Sequence, residues 1–221
     1  ARRGAPARPL LQTPADTGLP FRPSRIHVAD DEWLAAWELP VPAEGDGSPL
    51  ELMPWFASEP STENDSKGTV LVLGEALRPK SDYLSLARVL GKQEWSVCLF
   101  DYRGQGESPG GFSISSALKD AGKAFEHAAN MAGSRPLVIY GAGLGANLAL
   151  EVAAKINSGK NSRAVRAVIV DTPVSRPGQL HDALLEHRYG KWPGRVISRF
   201  DPYPSSLLDT EDALQRLKRT P

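Results

Sequence analysis

The sequence predicts an α/β fold with a parallel sheet, in which short apolar strands alternate with amphipathic helices. One observation is the continuous apolar, β-branched run at residues 69–73, which is typical of a strand buried on both faces. Another is the regular order of strand-like and helix-like segments from there to residue 171. This alternation predicts parallel strands joined by right-handed crossovers. The composition permits such a core, because 41% of the 221 residues are hydrophobic.

Each element follows from a local pattern. Ser81 suits a helix N-cap and Gly91 a helix end, whereas Ser113 looks like the start of a second helix whose apolar residues form one stripe. The expected elements after the first strand are a helix at 81–91, a strand at 95–101, a helix at 113–132, a strand at 137–140, a helix at 144–157, a strand at 165–170 and a final helix within 209–221.

The N-terminal 25 residues differ in composition from the rest of the chain. They contain five arginines and five prolines but a single acid, so we expect an extended arm that forms neither a helix nor a core. An arginine-rich start without an initiator methionine also resembles what remains beside a processed targeting segment. We therefore expect an organellar matrix location, mitochondrial rather than plastid, with the cytoplasm as the alternative.

The remaining sequence divides into a core and a C-terminal segment. Residues 26–173 are expected to form the core, with an irregular insertion at 42–68, and residues 174–221 a lid-like helical segment and the final helix. Aromatic, proline-fixed stretches at Trp192 and at 200–204 suit protein contacts. We expect other protein subunits to bind through these loops and through the arm.

The charge and residue counts exclude several classes of site. Twenty-six basic residues balance 26 acidic ones, so no overall field recruits nucleic acid. The single cysteine, Cys98, lies in an apolar strand-like run and is expected to be buried. The four histidines show no metal-ligand spacing, and no apolar run is long enough to cross a membrane. Neither a metal nor a cofactor is expected.

The stretch around Gly141, Gly143 and Gly145 has the pattern of a nucleophile elbow, G-x-S-x-G, with glycine in the serine position. An elbow is a sharp strand-to-helix turn that holds a hydroxyl beside backbone N–H groups able to bind an oxyanion. Glycine at 143 retains the turn but supplies no hydroxyl. The same three glycines therefore predict a degenerate elbow.

A second motif lies between the first strand and this turn. Residues 100–108 read F-D-Y-R-G-Q-G-E-S, which is similar to the D-x-R-G-x-G-x-S loop of the α/β-hydrolase superfamily. Together with the strand at 69–73 and the glycine turn, it makes residues 68–175 resemble that superfamily. The resemblance implies that the loop shapes and braces the site, through Asp101, Arg103, Gly104, Gly106 and Ser108. It also implies a fold that is C-terminally truncated.

Other parts expected of this superfamily are altered or missing. Its acid and histidine follow later strands, in the order Ser, Asp or Glu, His, and neither region lies in these 221 residues. The remnant of its oxyanion segment, Gly74 and Glu75, contains no histidine, and a carboxylate there opposes an oxyanion. We therefore expect a protein without catalytic activity, acting as a structural or accessory subunit. The alternative is an active serine esterase or thioesterase seen as a mutated or incomplete chain.

A second alternative comes from the same glycines. Gly141-x-Gly143-x-x-Ala146 fits the dinucleotide fingerprint G-x-G-x-x-G/A between a strand and a helix, and Asp171 ends the next strand, where a ribose-binding acid is found. Against it, two strand-helix units precede this turn, whereas the fingerprint usually follows the first strand of its sheet. Asp171 also suits a turn cap at Asp-Thr-Pro.

Overall fold

The computed structural model describes residues 12–29, 32–41, 66–157, 165–174, 182–183, 185–186, 189–191 and 210–218. The predicted insertion at 42–68 lies outside this set except for its last three residues. The aromatic loops at 192–204 and the histidines His181 and His187 also lie outside it.

The described strands form one six-stranded sheet in the order β1-β2-β4-β3-β5-β6. Strands β3 to β6 run parallel, whereas β1 and β2 form an antiparallel pair that joins the sheet through β4. The prediction of a mostly parallel α/β sheet is therefore confirmed. The strands are β1 (Arg22–Ala29), β2 (Glu32–Leu39), β3 (Gly68–Leu73), β4 (Trp95–Phe100), β5 (Leu137–Ala142) and β6 (Val165–Asp171).

Strand β3 is buried along its whole length, as its apolar run predicts. Because side chains alternate across a strand, Leu71 and Leu73 enter one apolar cluster while Val70 and Val72 enter another on the opposite face. The fold thus has two cores that share β3 as their common wall.

Four described helices accompany the sheet: α1 (Leu84–Lys92), α2 (Ile114–Ala132), α3 (Leu144–Asn157) and α4 (Thr210–Lys218). Helices α2 and α3 pack in the Leu71 cluster, whereas α1 packs in the Val70 cluster. Helix α4 packs on α3, where Ala213 is buried beside Leu150 and Ala154. The prediction of a helix within 209–221 is confirmed.

The two predicted helix starts have different outcomes. Ser113 caps α2 as expected: its hydroxyl accepts from the Ser116 N–H, and the Ser116 hydroxyl accepts from the Ser113 N–H. The prediction of Ser81 as an N-cap is wrong, because a 3-10 turn at Lys80–Tyr83 follows Pro79 and α1 begins only at Leu84. The Ser81 hydroxyl is buried with no hydrogen-bond partner among the described residues.

The described part of the N-terminal segment does contribute to the core. A 3-10 turn forms at Ala15–Thr17, Leu19 is buried, and the Phe21 ring packs edge-on against Trp37 at 6.0 Å between centroids. The prediction that residues 1–25 form no core is therefore wrong for the described residues 12–25, because Leu19 and Phe21 join the apolar cluster that contains Trp37 of β2. The predicted boundary at residue 25 falls inside β1, an edge strand, where Pro23 needs no ladder partner for its missing N–H.

Candidate functional site

The glycine turn lies at the carboxyl edge of the sheet, between β5 and α3. Gly143 is the one residue between them, and its φ of +56° lies in the left-handed region that favours glycine. Its N–H donates to the Asp171 carbonyl oxygen at 3.0 Å, and its own carbonyl oxygen accepts from Ala146 at 3.1 Å. These bonds fix the sharp turn that the sequence pattern predicts.

The two flanking glycines allow backbone segments to touch. A Cβ atom on Gly145 would collide with the carbonyl oxygen of Leu73, and one on Gly141 would collide with that of Gly145. The first residues of α3 therefore lie directly against the end of β3. This contact brings the remnant oxyanion segment, Gly74 and Glu75, beside the turn.

The side chain of Glu75 lies over Gly143. A Cβ atom at Gly143 would be 2.7 Å from the Glu75 Cγ atom and 3.2 Å from its Cδ atom. The carboxyl group of Glu75 thus borders the space that a side chain at residue 143 would enter. One carboxylate oxygen, Oε2, pairs with the Nε atom of Arg78 at 2.9 Å, and the Glu75 side chain is 50% exposed.

Two tyrosines hold the segment that carries Glu75. The Glu75 N–H donates to the Tyr83 hydroxyl oxygen at 2.7 Å, and the Tyr102 hydroxyl donates to the Gly74 carbonyl oxygen at 3.4 Å. Burial raises the pKa of both phenols, that of Tyr102 well above its usual value. Both therefore stay neutral and keep their hydroxyl protons over the ordinary pH range.

The loop after β4 is tied down by Asp101. Its carboxylate accepts from the Lys80 ammonium at 2.5 Å, from the Lys80 N–H at 2.8 Å and from the Glu107 N–H at 3.0 Å. Lys80 is itself fully buried, pairs also with Glu107 at 2.6 Å, and lies 4.4 Å from the centroid of the Trp37 ring. A Cβ atom on Gly106 would collide with the Asp101 carboxylate. Asp101 is thus fully engaged within the loop.

The other polar residues of the motif have structural contacts too. Arg103 binds the buried Asp120 through its Nε atom at 2.8 Å and also pairs with Glu32. The Ser108 hydroxyl donates to the Asp101 carbonyl oxygen at 2.6 Å and accepts from Ala35 at 2.8 Å. Gly104 has a positive φ of 73° and packs against the backbone at 111–112. These contacts join the loop to β2 and α2.

Asp171 reaches the turn through its backbone. While its carbonyl oxygen accepts from Gly143, its carboxylate accepts from the Tyr140 hydroxyl at 2.7 Å. Desolvation, followed by this hydrogen bond, raises the pKa of Tyr140 to about 12. Both described histidines lie elsewhere: His27 is on β1, and His127 on α2 lies 2.9 Å from Glu38 on β2.

Sequence reasoning missed two residues near the site. Asn147 is buried in α3 and binds Val174 twice, accepting from its N–H at 2.9 Å and donating to its carbonyl oxygen at 3.0 Å. Its signal was a polar residue within the apolar first half of the helix, at 144–150. The buried Lys80 gave no signal, because its partners lie 21 and 27 residues later in the sequence.

The position of Glu75 argues against the dinucleotide alternative. A pyrophosphate binds the N–H groups at the start of the helix, and in this structure the Glu75 side chain packs against that point. Two like charges there would repel each other. Among the described residues, no group of three or more His, Cys, Asp or Glu could hold a metal ion, and no helix is long and apolar enough to cross a membrane.

Solved structures of several hydrolases have a similar fold. An esterase from Pyrococcus furiosus aligns with a TM-score of 0.61 at 14% identity, covering 97% of this chain and 83% of its own. An alpha-beta hydrolase from Vibrio vulnificus has a TM-score of 0.60 and 17% identity, and the alignment covers 92% of this chain and 61% of the Vibrio chain. A soluble variant of the monoglyceride lipase from Saccharomyces cerevisiae has a TM-score of 0.54 and 18% identity, and the alignment covers 85% of this chain and 57% of the Saccharomyces chain.

The chain thus spans less than two thirds of the Vibrio and Saccharomyces chains. Comparison with curated protein sequences finds no match.

A family model described as "Serine aminopeptidase, S33" matches residues 65–220, well over half of the chain. The match includes β3, the loop after β4, the glycine turn and α4. It contradicts the prediction that the protein is not an enzyme, because the family is one of hydrolases. The prediction relied on the missing serine, acid and histidine and on the altered oxyanion segment, whereas the whole pattern of residues 65–220 matches a family of hydrolases. The chain belongs to the serine aminopeptidase S33 family of the α/β-hydrolase superfamily.

Proposed function

We propose that the protein hydrolyses carboxylic esters at the turn around Gly143. The observation that carries the proposal is the intact elbow geometry, in which the left-handed Gly143 leads directly from β5 into α3. The first N–H groups of a helix have no partner within the helix. The N–H group of Leu144, the residue after the turn, therefore faces the developing oxyanion of an ester bound at this edge.

Because Gly143 has no hydroxyl, water is the nucleophile in this proposal. The reaction is one addition followed by one elimination at the ester carbonyl carbon, without an acyl-enzyme intermediate. Oxyanion stabilisation and substrate binding alone retain about 10³-fold to 10⁴-fold acceleration over water when a triad is removed. We expect turnover of at least that order, which is slow but measurable with an activated ester.

Esters are preferred to peptides for a chemical reason. An amine leaving group must be protonated as the C–N bond breaks, a task that histidine performs in triad enzymes. Among the residues that the structure describes, no histidine approaches the turn, since His27 and His127 lie at the β1-β2 side of the sheet. An alkoxide or phenolate leaves more easily. The structural neighbours from Pyrococcus furiosus and Saccharomyces cerevisiae, an esterase and a monoglyceride lipase, support the same substrate class.

The test is hydrolysis of p-nitrophenyl acetate and butyrate by the purified chain, compared with Gly143→Leu and Gly133→Leu. Gly143→Leu fills the site. Gly133 also has a positive φ, +60°, but nothing within 4 Å of an added Cβ, so its variant introduces a strained residue away from the turn. We expect turnover by the wild type and by Gly133→Leu but not by Gly143→Leu. Turnover by all three, or by none, contradicts the proposal.

The predicted protein contacts and the organellar location stay predictions. Residues 1–11 of the arm and the aromatic loops at 192–204 lie outside the described residues. Cell fractionation with an antibody against the native protein, followed by mass spectrometry of what co-purifies from the matrix fraction, tests both.

A further inference from the structure

We propose that Glu75 is the general base that activates water for this hydrolysis, an inference that rests on the proposed function. The carboxyl group of Glu75 lies close to the position of the missing hydroxyl. The Cδ atom of its carboxyl group lies 3.2 Å from where a Cβ atom at residue 143 would be. In an elbow with serine, the nucleophilic oxygen is attached to that Cβ atom. The Glu75 carboxylate therefore lies within reach of a water molecule that takes the place of the missing hydroxyl.

The carboxylate of Glu75 is also oriented by its contacts. Oε2 pairs with the Nε atom of Arg78, and the Glu75 N–H is held by the Tyr83 hydroxyl. These two contacts fix the side chain and its backbone, while Oε1 has no hydrogen-bond partner among the described residues. Arg78 also pairs with Asp82 at 3.3 Å, which fixes the guanidinium in turn. One carboxylate oxygen is thus anchored and the other is available to accept a proton.

The charge of Glu75 also suits the role of a base. An ionised Glu75 opposes an oxyanion beside it, which is why the sequence suggested an impaired site. A base resolves this conflict, because it becomes neutral in the same step in which the oxyanion forms. The net charge at the edge of the sheet is therefore unchanged by the step. The start of α3 stabilises that charge on Glu75 before the step and on the oxyanion after it.

The atoms balance in two stages. Glu75 accepts one proton from water while the water oxygen forms a bond to the ester carbonyl carbon, whose oxygen becomes the oxyanion. The carbonyl then re-forms, the bond to the alkoxy oxygen breaks, and the Glu75 carboxylic acid returns the proton to that oxygen. The products are one carboxylic acid and one alcohol, and the Glu75 carboxylate is regenerated.

The test compares Glu75→Gln and Glu75→Ala with a matched control, Glu94→Gln. Glu94 is 51% exposed and forms one ion pair, with Lys67, so it resembles Glu75 in exposure and pairing but lies at the amino end of β4. General-base catalysis contributes typically about 10²-fold to 10⁴-fold. With p-nitrophenyl butyrate as the probe, we expect kcat to fall at least about 10²-fold in both Glu75 variants and to be unchanged in Glu94→Gln.

Two further readouts separate a base from a structural role. Added acetate or formate is expected to restore part of the activity of Glu75→Ala, because a small carboxylate fits the vacated space and accepts the proton. In ¹⁸O-labelled water, the label is expected in the product acid at the first turnover and never in the peptide that contains Glu75. Label in that peptide would show covalent attack by the carboxylate and overturn the assignment.

The results also separate the two proposals. A wild type that hydrolyses the ester, together with Glu75→Gln as active as Glu94→Gln, overturns the role of Glu75 and leaves ester hydrolysis standing. A wild type without turnover overturns both. Circular-dichroism melts of each variant exclude loss of the fold as the cause, and we expect them to match the wild type because Glu75 is half exposed.

Discussion

Replacing Gly143 by alanine measures how tightly Glu75 packs on the turn. Alanine at a φ of +56° carries a strain of about 1–2 kcal/mol, as for any L-residue in the left-handed region. Its Cβ atom would also lie 2.7 Å from the Glu75 Cγ atom, well inside the roughly 3.5–4.0 Å of a normal carbon contact. Glu75 must therefore move. Leaving its rotamer costs about 0.5–1.5 kcal/mol.

Gly133→Ala is the matched control for this change. Gly133 has a φ of +60° but open space around an added Cβ, so its variant carries strain without the contact. The entropy that alanine removes from the unfolded chain is the same in both variants and cancels in the comparison. We expect the part of the cost of Gly143→Ala that depends on Glu75 to be about 1 kcal/mol, and Gly133→Ala to have no such part.

Urea unfolding supplies the measurement, read as a shift of the midpoint at constant slope. The same two alanine variants are then made in a Glu75→Ala background, which removes the Cγ and Cδ atoms. We expect the extra cost of Gly143→Ala to disappear there, giving a coupling of about 1 kcal/mol. Equal costs for both glycines in both backgrounds would show that Glu75 does not pack on the turn, and the argument for its role would lose its geometric basis.

Three further predictions concern the surroundings of the site. Lys80→Met leaves the buried Asp101 without its cation and should lower the free energy of unfolding by about 3 kcal/mol. Lys67→Met, at an exposed ion pair, should change the free energy of unfolding by less than about 1 kcal/mol. Equal urea midpoints for the two variants would contradict this difference. Asn147→Leu leaves the Val174 N–H and carbonyl oxygen unpaired and should lower the free energy of unfolding by about 2 kcal/mol. Hydrogen exchange at the Val174 N–H should become faster, and unchanged exchange would contradict the prediction. The hydrogen bond from His127 holds the pKa of Glu38 below its usual 4.5, against the effect of burial. The resulting stability is present above pH 4.5 and is lost as the pH falls through the lower folded-state pKa of Glu38. His127→Ala should therefore flatten the acid limb of the curve of stability against pH, and an identical limb would refute the assignment.

The parts of the fold that the sequence predicted depend on local patterns. The apolar run of β3 determines its burial on both faces, and the serine pair of Ser113 and Ser116 determines the start of α2. The turn around Gly143 was predictable for the same reason, because a strand, three glycines and a helix lie next to one another in the chain. None of these features needs information about distant residues.

Features that depend on distant contacts were missed. Nothing near Leu19 or Phe21 in the sequence shows that Trp37 on β2 accepts them, so the prolines alone suggested a segment outside the core. The late start of α1 follows from the turn after Pro79, which displaces Ser81 from the cap position.

The same limit affected the site. Glu75 was recognised as part of a remnant segment, but its packing over Gly143 appears only when β3 and β5 pair and bring residues 68 positions apart together. The lack of a serine, an acid and a histidine, together with the altered oxyanion segment, therefore suggested an inactive protein, whereas the family match rests on the whole pattern of residues 65–220.

The contact between Gly145 and the Leu73 carbonyl group has a consequence for protein engineering. No side chain separates the end of β3 from the start of α3, so neither can be shifted without breaking the sheet or the helix. The spacing between the residue at 75 and the residue at 143 is therefore set by the main chain. A designer who wishes to install a new nucleophile at 143 has to choose a smaller residue at 75, because lengthening the turn or repacking the core leaves that spacing unchanged.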